Sequence, residues 1–170
     1  SKYQVSLEKV VSDLSFQVIY TPKDIADIYI TSQDVNRPGL ILTGFDNYFD
    51  PARIQFIGLT ELEYFKSLDK DHFIECTERF LSKKPAAVVV TRDLKCSKKF
   101  LEIAEKYEVP ILGTAEATSS CMAAAISYLG VELAQRITRH GVLVEVYGEG
   151  VLIVGDSGVG KSETAIELIK

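Results

Sequence analysis

The chain has 170 residues, 46% of them hydrophobic and 25% charged, with a formal net charge of −5. That balance suits a globular protein with a real core and excludes a disordered or low-complexity chain. No basic cluster argues for nucleic acid, no apolar run is long enough to span a bilayer, and Glu8, Asp13 and Asp24 are unlike a signal peptide.

The first half predicts alternating helices and strands. Leu7, Val10, Val11 and Leu14 recur at helical spacing, with Ser6 as N-cap. Phe16–Tyr20 and Asp27–Thr31 read as short strands, and Asn36-Arg37-Pro38-Gly39 as a turn leading into Leu40-Ile41-Leu42. Ile54–Gly58 is the next strand candidate. A helix then opens near Thr60, with Glu63 placed as the distal half of a capping box. Asp71–Ser82 is predicted helical, with Phe73, Ile74, Phe80 and Leu81 on its buried face.

From Lys84 the pattern sharpens. Ala86–Val90, the amphipathic stretch Ser97–Tyr107 and Val109–Leu112 make strand, helix and strand, a βαβ unit that requires parallel pairing. No G-x-G-x-x-G separates the first strand from its helix, so a dinucleotide site is not indicated. Thr118, Ser119 and Ser120 are N-cap candidates for a helix through Cys121–Tyr128 and onward. Cys76, Cys96 and Cys121 are odd in number and lack C-x-x-C spacing, which favours free thiols in a reducing cytoplasm over a disulfide or zinc framework.

The pattern changes near residue 130, predicting an α/β domain over 1–130 and the start of a second domain over 131–170. Val142–Val146 and Val151–Val154, separated by a glycine-bearing turn, read as a β-hairpin. The second strand runs into Gly155-Asp156-Ser157-Gly158-Val159-Gly160-Lys161-Ser162, which fits the phosphate loop G-x-x-x-x-G-K-[ST]. Gly158 and Gly160 leave no side chain in the way of a phosphate, and successive N–H groups can point inward as an anion nest. Lys161 would reach the β/γ-phosphates, and the Ser162 hydroxyl would ligate Mg²⁺. In the hairpin register His140 falls opposite Ser157, which brings an otherwise unremarkable histidine to the phosphates.

The run Arg139-His140-Gly141 through the hairpin, the loop and Glu163-Thr164-Ala165 closely resembles the HPr kinase/phosphorylase family. The resemblance is dense from about Ser127 to Lys170. It is looser over the first 125 residues, where Arg37-Pro38-Gly39-Leu40, Ile54-Gln55 and Pro110-Ile111-Leu112 carry it. It implies phosphorylation of a serine of the phosphocarrier HPr with ATP or pyrophosphate and Mg²⁺, and the reverse phosphorolysis that releases pyrophosphate. It also implies a cytoplasmic homohexamer, control by sugar-phosphate metabolites and a role in carbon catabolite repression. The N-terminal domain is then expected to look like a substrate domain of cell-wall ligases. By motif position His140 and Lys161 match active-site residues, Gly155–Ser162 the nucleotide loop and Ser162 a magnesium ligand. The family's paired aspartates and its second magnesium carboxylate fall after Lys170. The chain is therefore expected to be the N-terminal part of a longer protein and inactive by itself. Two competing readings are a non-catalytic ligand-sensing or docking α/β module and another P-loop ATPase or GTPase.

Overall fold

A computed structural model describes residues 3–145, with side chains as far as residue 134. The chain divides into two units, Ser1–Gly130 and Val131–Lys170. In the first, strand β1 (Val5–Ser6) leads directly into helix α1 (Leu7–Leu14). Ser6 caps it as the spacing predicts: its hydroxyl accepts the Lys9 N–H at 3.1 Å. Leu7 and Val10 are buried on the helix's inner face, and Ser15 ends it in the left-handed region at φ 57°.

Strand β2 (Gln17–Tyr20) follows, then a single 3₁₀ turn at Ile25–Asp27 and strand β3 (Tyr29–Ile30). The predicted strand over Asp27–Thr31 is thus shortened, because the Asp24 carboxylate caps the turn by accepting the Ala26 N–H at 2.9 Å. β3 pairs antiparallel with β1 in a separate two-stranded ribbon.

Strand β4 (Val35–Asn36) and the short helix α2 (Gly39–Leu42) flank the predicted Arg37-Pro38 turn. Then come β5 (Ile54–Ile57), α3 (Leu59–Ser67), α4 (Lys70–Leu81), β6 (Ala87–Val90), α5 (Lys98–Tyr107), β7 (Ile111–Gly113) and α6 (Thr118–Glu145). The main sheet has the order β2-β7-β6-β5-β4. β4 through β7 are parallel, and β2 closes one edge antiparallel to β7. The predicted βαβ unit is β6-α5-β7, with Val88 level with Ile111 and Val90 level with Gly113.

Because side chains alternate along a strand, this register sorts the sheet into two faces. Ile57, Val88, Val90 and Ile111 lie on one, within a core shared with Phe65, Phe80, Leu81, Phe100 and Ile103 of the helices. Ile54, Phe56, Ala87, Val89 and Leu112 lie on the other, and all five are completely buried. β5 and β6 are therefore covered on both sides, which is why β6 reads as an unbroken apolar run and β5 is interrupted only by the buried Gln55. Helix α4 keeps Phe80 and Leu81 in the core as predicted. Phe73 and Ile74 are half-buried at its edge, and Cys76 and Thr77 take the remaining inner positions.

Two local expectations are corrected. Helix α3 starts a residue earlier than Thr60, and its box partner is Glu61, whose carboxylate accepts the Gly58 N–H at 2.8 Å. Glu63 sits out on the surface with Lys66. Farther on, α6 continues through Glu145, so Val142–Glu145 is helical where the hairpin reading placed its first strand. A short apolar run carries no period of its own to tell strand from helix, and here it extends the hydrogen bonding of the turns before it. Val146 and the second strand lie outside the described residues. Within α6 the buried residues Thr118, Cys121, Ala125 and Leu129 recur at helical spacing.

Candidate functional site

The phosphate loop Gly155–Ser162, including Lys161, lies outside the described residues. His140 falls on the helical backbone of α6, and the hairpin register that set it opposite Ser157 has no counterpart there. The site that the structure does build lies at the carboxyl ends of the parallel strands, where ligands of open α/β sheets commonly bind. The order of the parallel strands is monotonic, so they form no topological switch point.

Five residues from four elements meet at this edge. Arg37, in the turn after β4, donates two hydrogen bonds to Glu61 of α3: Nε to Oε2 at 3.0 Å and Nη2 to Oε1 at 2.7 Å. Such a planar two-pronged pairing is specific to a guanidinium and a carboxylate. Oε1 also takes the N–H of Gly58, the residue that links β5 to α3. Thr91, completely buried just after β6, donates its hydroxyl proton to the Ile57 carbonyl at 3.2 Å. Its oxygen is 2.7 Å from Thr118 Oγ1; since the Thr91 proton is already committed, Thr118 donates this bond. Gly58 is required by space, not by dihedral angle. A Cβ there would lie 2.2 Å from Thr118 Oγ1 and 3.0 Å from Arg37 Nη2.

Beside this cluster the Asn36 amide donates to Gln55 Oε1 at 2.8 Å, a polar rung between neighbouring strands β4 and β5. After Thr91 the chain turns through Arg92 and Asp93, both in the left-handed region at φ 59° and 53°. Backbone bonds from Arg92 N to Glu116 O and from Asp93 N to Thr114 O, each 2.9 Å, hold that uncommon pair. The network as a whole fastens the β4–α2 turn, α3 and the start of α6 to the ends of β5 and β6. Its polar groups are already partnered, so it positions elements and offers no free acid or base.

Glu61 is only 5% exposed. Burial alone would raise its carboxyl, but the Arg37 fork and the Gly58 N–H outweigh it and hold it below the ordinary carboxylate range. The folded value is thus below the unfolded one. The contribution to stability is complete above the unfolded value of about 4.3 and is lost as pH falls through the folded value. Chemical denaturation across this acid range should show stability falling with pH. Glu61→Gln should flatten that slope, and an unchanged slope would remove Glu61 from the titration.

The cysteines are free thiols, as the spacing predicts. Burial pushes Cys96 and Cys121 up to about 11, so both are neutral near neutral pH and neither is a thiolate nucleophile. Among the described residues no group of His, Cys, Asp and Glu is placed to hold a metal ion, and no helix is long and apolar enough to cross a membrane.

The comparisons with known proteins follow the same division of the chain. Residues 5–129 match the family model described as HPr Serine kinase N terminus, and residues 131–170 match the HPr Serine kinase C-terminal domain. This chain belongs to the HPr serine kinase family. A relative called HPr kinase/phosphorylase from Lachnoclostridium phytofermentans is 48% identical over 168 residues, covering 99% of the chain and 54% of the relative. Relatives of the same name from Caldicellulosiruptor bescii and Latilactobacillus sakei are 41% and 40% identical, with 54% and 53% of their lengths covered. The chain therefore spans about half the length of the curated HPr kinase/phosphorylase relatives it matches. Among solved structures, the CBS and DRTGG domains of the regulatory region of a Clostridium perfringens pyrophosphatase, solved with diadenosine tetraphosphate, align with a TM-score of 0.53 at 12% identity. That alignment covers 86% of this chain and 64% of the other. At that identity the likeness is one of fold alone.

The residue-by-residue reading missed Glu61 and Thr91. Thr118 stands out there only as a cap, and Arg37 only as a turn residue and within a family-like run. Glu61 carried a signal, standing three residues after a glycine that ends a strand. Thr91 carried none, since a threonine at the end of an apolar run is ordinary strand composition.

Proposed function

We propose that this chain serves the reversible phosphorylation of a serine of HPr. The forward reaction uses ATP or pyrophosphate as donor, and the reverse is phosphorolysis of phosphoserine-HPr to HPr and pyrophosphate. The observation that carries the proposal is the 48% identity with a relative named HPr kinase/phosphorylase, running across 99% of the chain. Since that stretch includes Gly155–Ser162, the reading brings the phosphate loop with it.

In this reading residues 1–130 are an accessory α/β domain, akin to a cell-wall ligase substrate domain, and 131–170 open the kinase domain. The main-chain N–H groups from Gly155 to Gly160 cradle the donor phosphates, and Lys161 neutralises charge on the transferred group. The Ser162 hydroxyl is a hard oxygen donor suited to Mg²⁺, which when bound would screen the phosphate oxygens. His140, by its match in motif position to the family's active-site histidine, serves as a proton-handling or hydrogen-bonding group. The protein works in the cytoplasm as a homohexamer on the HPr of its own cell. A purely ligand-sensing module and another P-loop ATPase or GTPase gain nothing from relatives that carry the kinase/phosphorylase name.

The experiment is a pair of assays on the full-length enzyme: HPr with ATP, and phosphoserine-HPr with inorganic phosphate. His140→Ala should lower turnover in at least one direction by roughly tenfold or more, in keeping with lost acid–base assistance. Circular dichroism would establish that the variant is folded. Rates within about twofold of wild type in both directions would make His140 a bystander. Absence of both reactions in the wild-type enzyme would overturn the assignment itself.

A further inference from the structure

A cavity of about 460 Å³ opens between α3, α4 and the start of α5, beyond the carboxyl ends of β5 and β6. Its volume is within the range of small-molecule sites. Leu62, Phe65, Phe73 and Phe100 make an apolar and largely aromatic wall. Phe65 holds it together, edge-on to Phe73 with ring centres 5.3 Å apart and tilted against Phe100 at 6.0 Å.

The charged groups that line this cavity are all of one sign: Lys66, Lys70 and Lys95, with no carboxylate among them. Lys66 has a loose 3.8 Å pairing with Glu63 on its own helix. Lys70 and Lys95 form no ion pair among the described residues. Nearby Asp69 is engaged by His72 at 2.8 Å, and the Ser97 hydroxyl accepts the Phe100 N–H at 3.1 Å as a helix cap. The Cys96 thiol is neutral. Polar recognition thus falls to the lysines, whose long stems can lie along apolar walls while their ammonium groups meet an anion.

We propose that this cavity binds a small amphipathic anion, an acyl or aryl body seated on the phenylalanine wall with a carboxylate or phosphate held by Lys70 and Lys95. The site is lined only by residues of the first unit and does not depend on the kinase reading.

The test uses the full-length protein and calorimetric titration with octanoate, octyl phosphate and 1-octanol. At least one anion should bind saturably at one site per chain, and the alcohol about tenfold more weakly or less, the equivalent of about 1.4 kcal/mol. The tighter anion would identify the head group as carboxylate or phosphate. Lys70→Gln with Lys95→Gln should weaken the anion about tenfold and leave the alcohol unchanged, with an unaltered thermal melt. Amide shifts of Lys66, Phe73 and Leu94 should move during the titration. Failure of both anions to saturate, equal binding of alcohol and anion, insensitivity to the lysine substitutions, or stationary shifts at these residues would each overturn the proposal.

Discussion

Lys161→Ala in the full-length protein is expected to abolish phosphorylation and phosphorolysis together. The stretch that carries it, Gly155–Ser162, fits the phosphate-loop spacing G-x-x-x-x-G-K-[ST]. Phosphoryl transfer involves little covalent chemistry on the protein, so positioning and charge stabilisation supply nearly all of the acceleration. An ammonium at the β/γ-phosphates acts on the same charge in either direction, because both reactions cross related transition states. Its removal should cost at least about a hundredfold in each, comparable to losing one preorganised donor from an oxyanion site. The two assays proposed for His140 measure it, with a melting curve to show that the fold persists. A variant that kept either direction near the wild-type rate would refute the role given to Lys161.

Arg37→Ala carries the largest expected effect on stability. The Arg37–Glu61 pair is asymmetric, with side-chain exposures of 35% and 5%. An orphaned Arg37 can turn toward water, whereas an orphaned Glu61 is left buried with the Gly58 N–H as its remaining cross-link. Breaking a buried pair from one side costs about 3–5 kcal/mol, and the partial exposure of Arg37 places this case near the lower figure.

The pH dependence should also change sign. With Arg37 present, Glu61 adds stability as pH rises through the acid range. Without it, burial dominates and raises the folded value above the unfolded one. Stability is then greatest below the unfolded value of about 4.3 and declines as pH rises through the folded value. Urea denaturation at several pH values, comparing wild type, Arg37→Ala and Arg37→Ala with Glu61→Gln, distinguishes the two slopes. The double variant should recover part of the loss, since a neutral amide is cheaper to bury than a lone carboxylate. A single variant with wild-type slope and stability would show that the pair is ornamental.

Much of the first unit was legible in residue order because its signals are local. The cap at Ser6 needs only a hydroxyl three residues before an N–H, and the structure uses it. The β6-α5-β7 unit was readable because an amphipathic stretch between two apolar runs forces a parallel crossover. The phosphate loop and the family-like residues around it are sequence patterns in the strict sense, a spacing that can be read without coordinates.

The polar latch at the end of the sheet was not legible in this way. Arg37 and Glu61 are 24 positions apart, and Thr91 and Thr118 are 27 apart. Neither pair follows from periodicity, because each is created by strand order, which sets β4 beside β5 and β6 beside β7. The same holds for the lysine-rimmed cavity, whose walls come from α3, α4 and α5 and adjoin only once the strands between them are in register. Local spacing determined most of the helices and turns of the first unit, since those depend on hydrogen bonds spanning a few residues. Tertiary structure alone decided which buried charge met which partner, because that choice depends on where distant segments are brought together out of water.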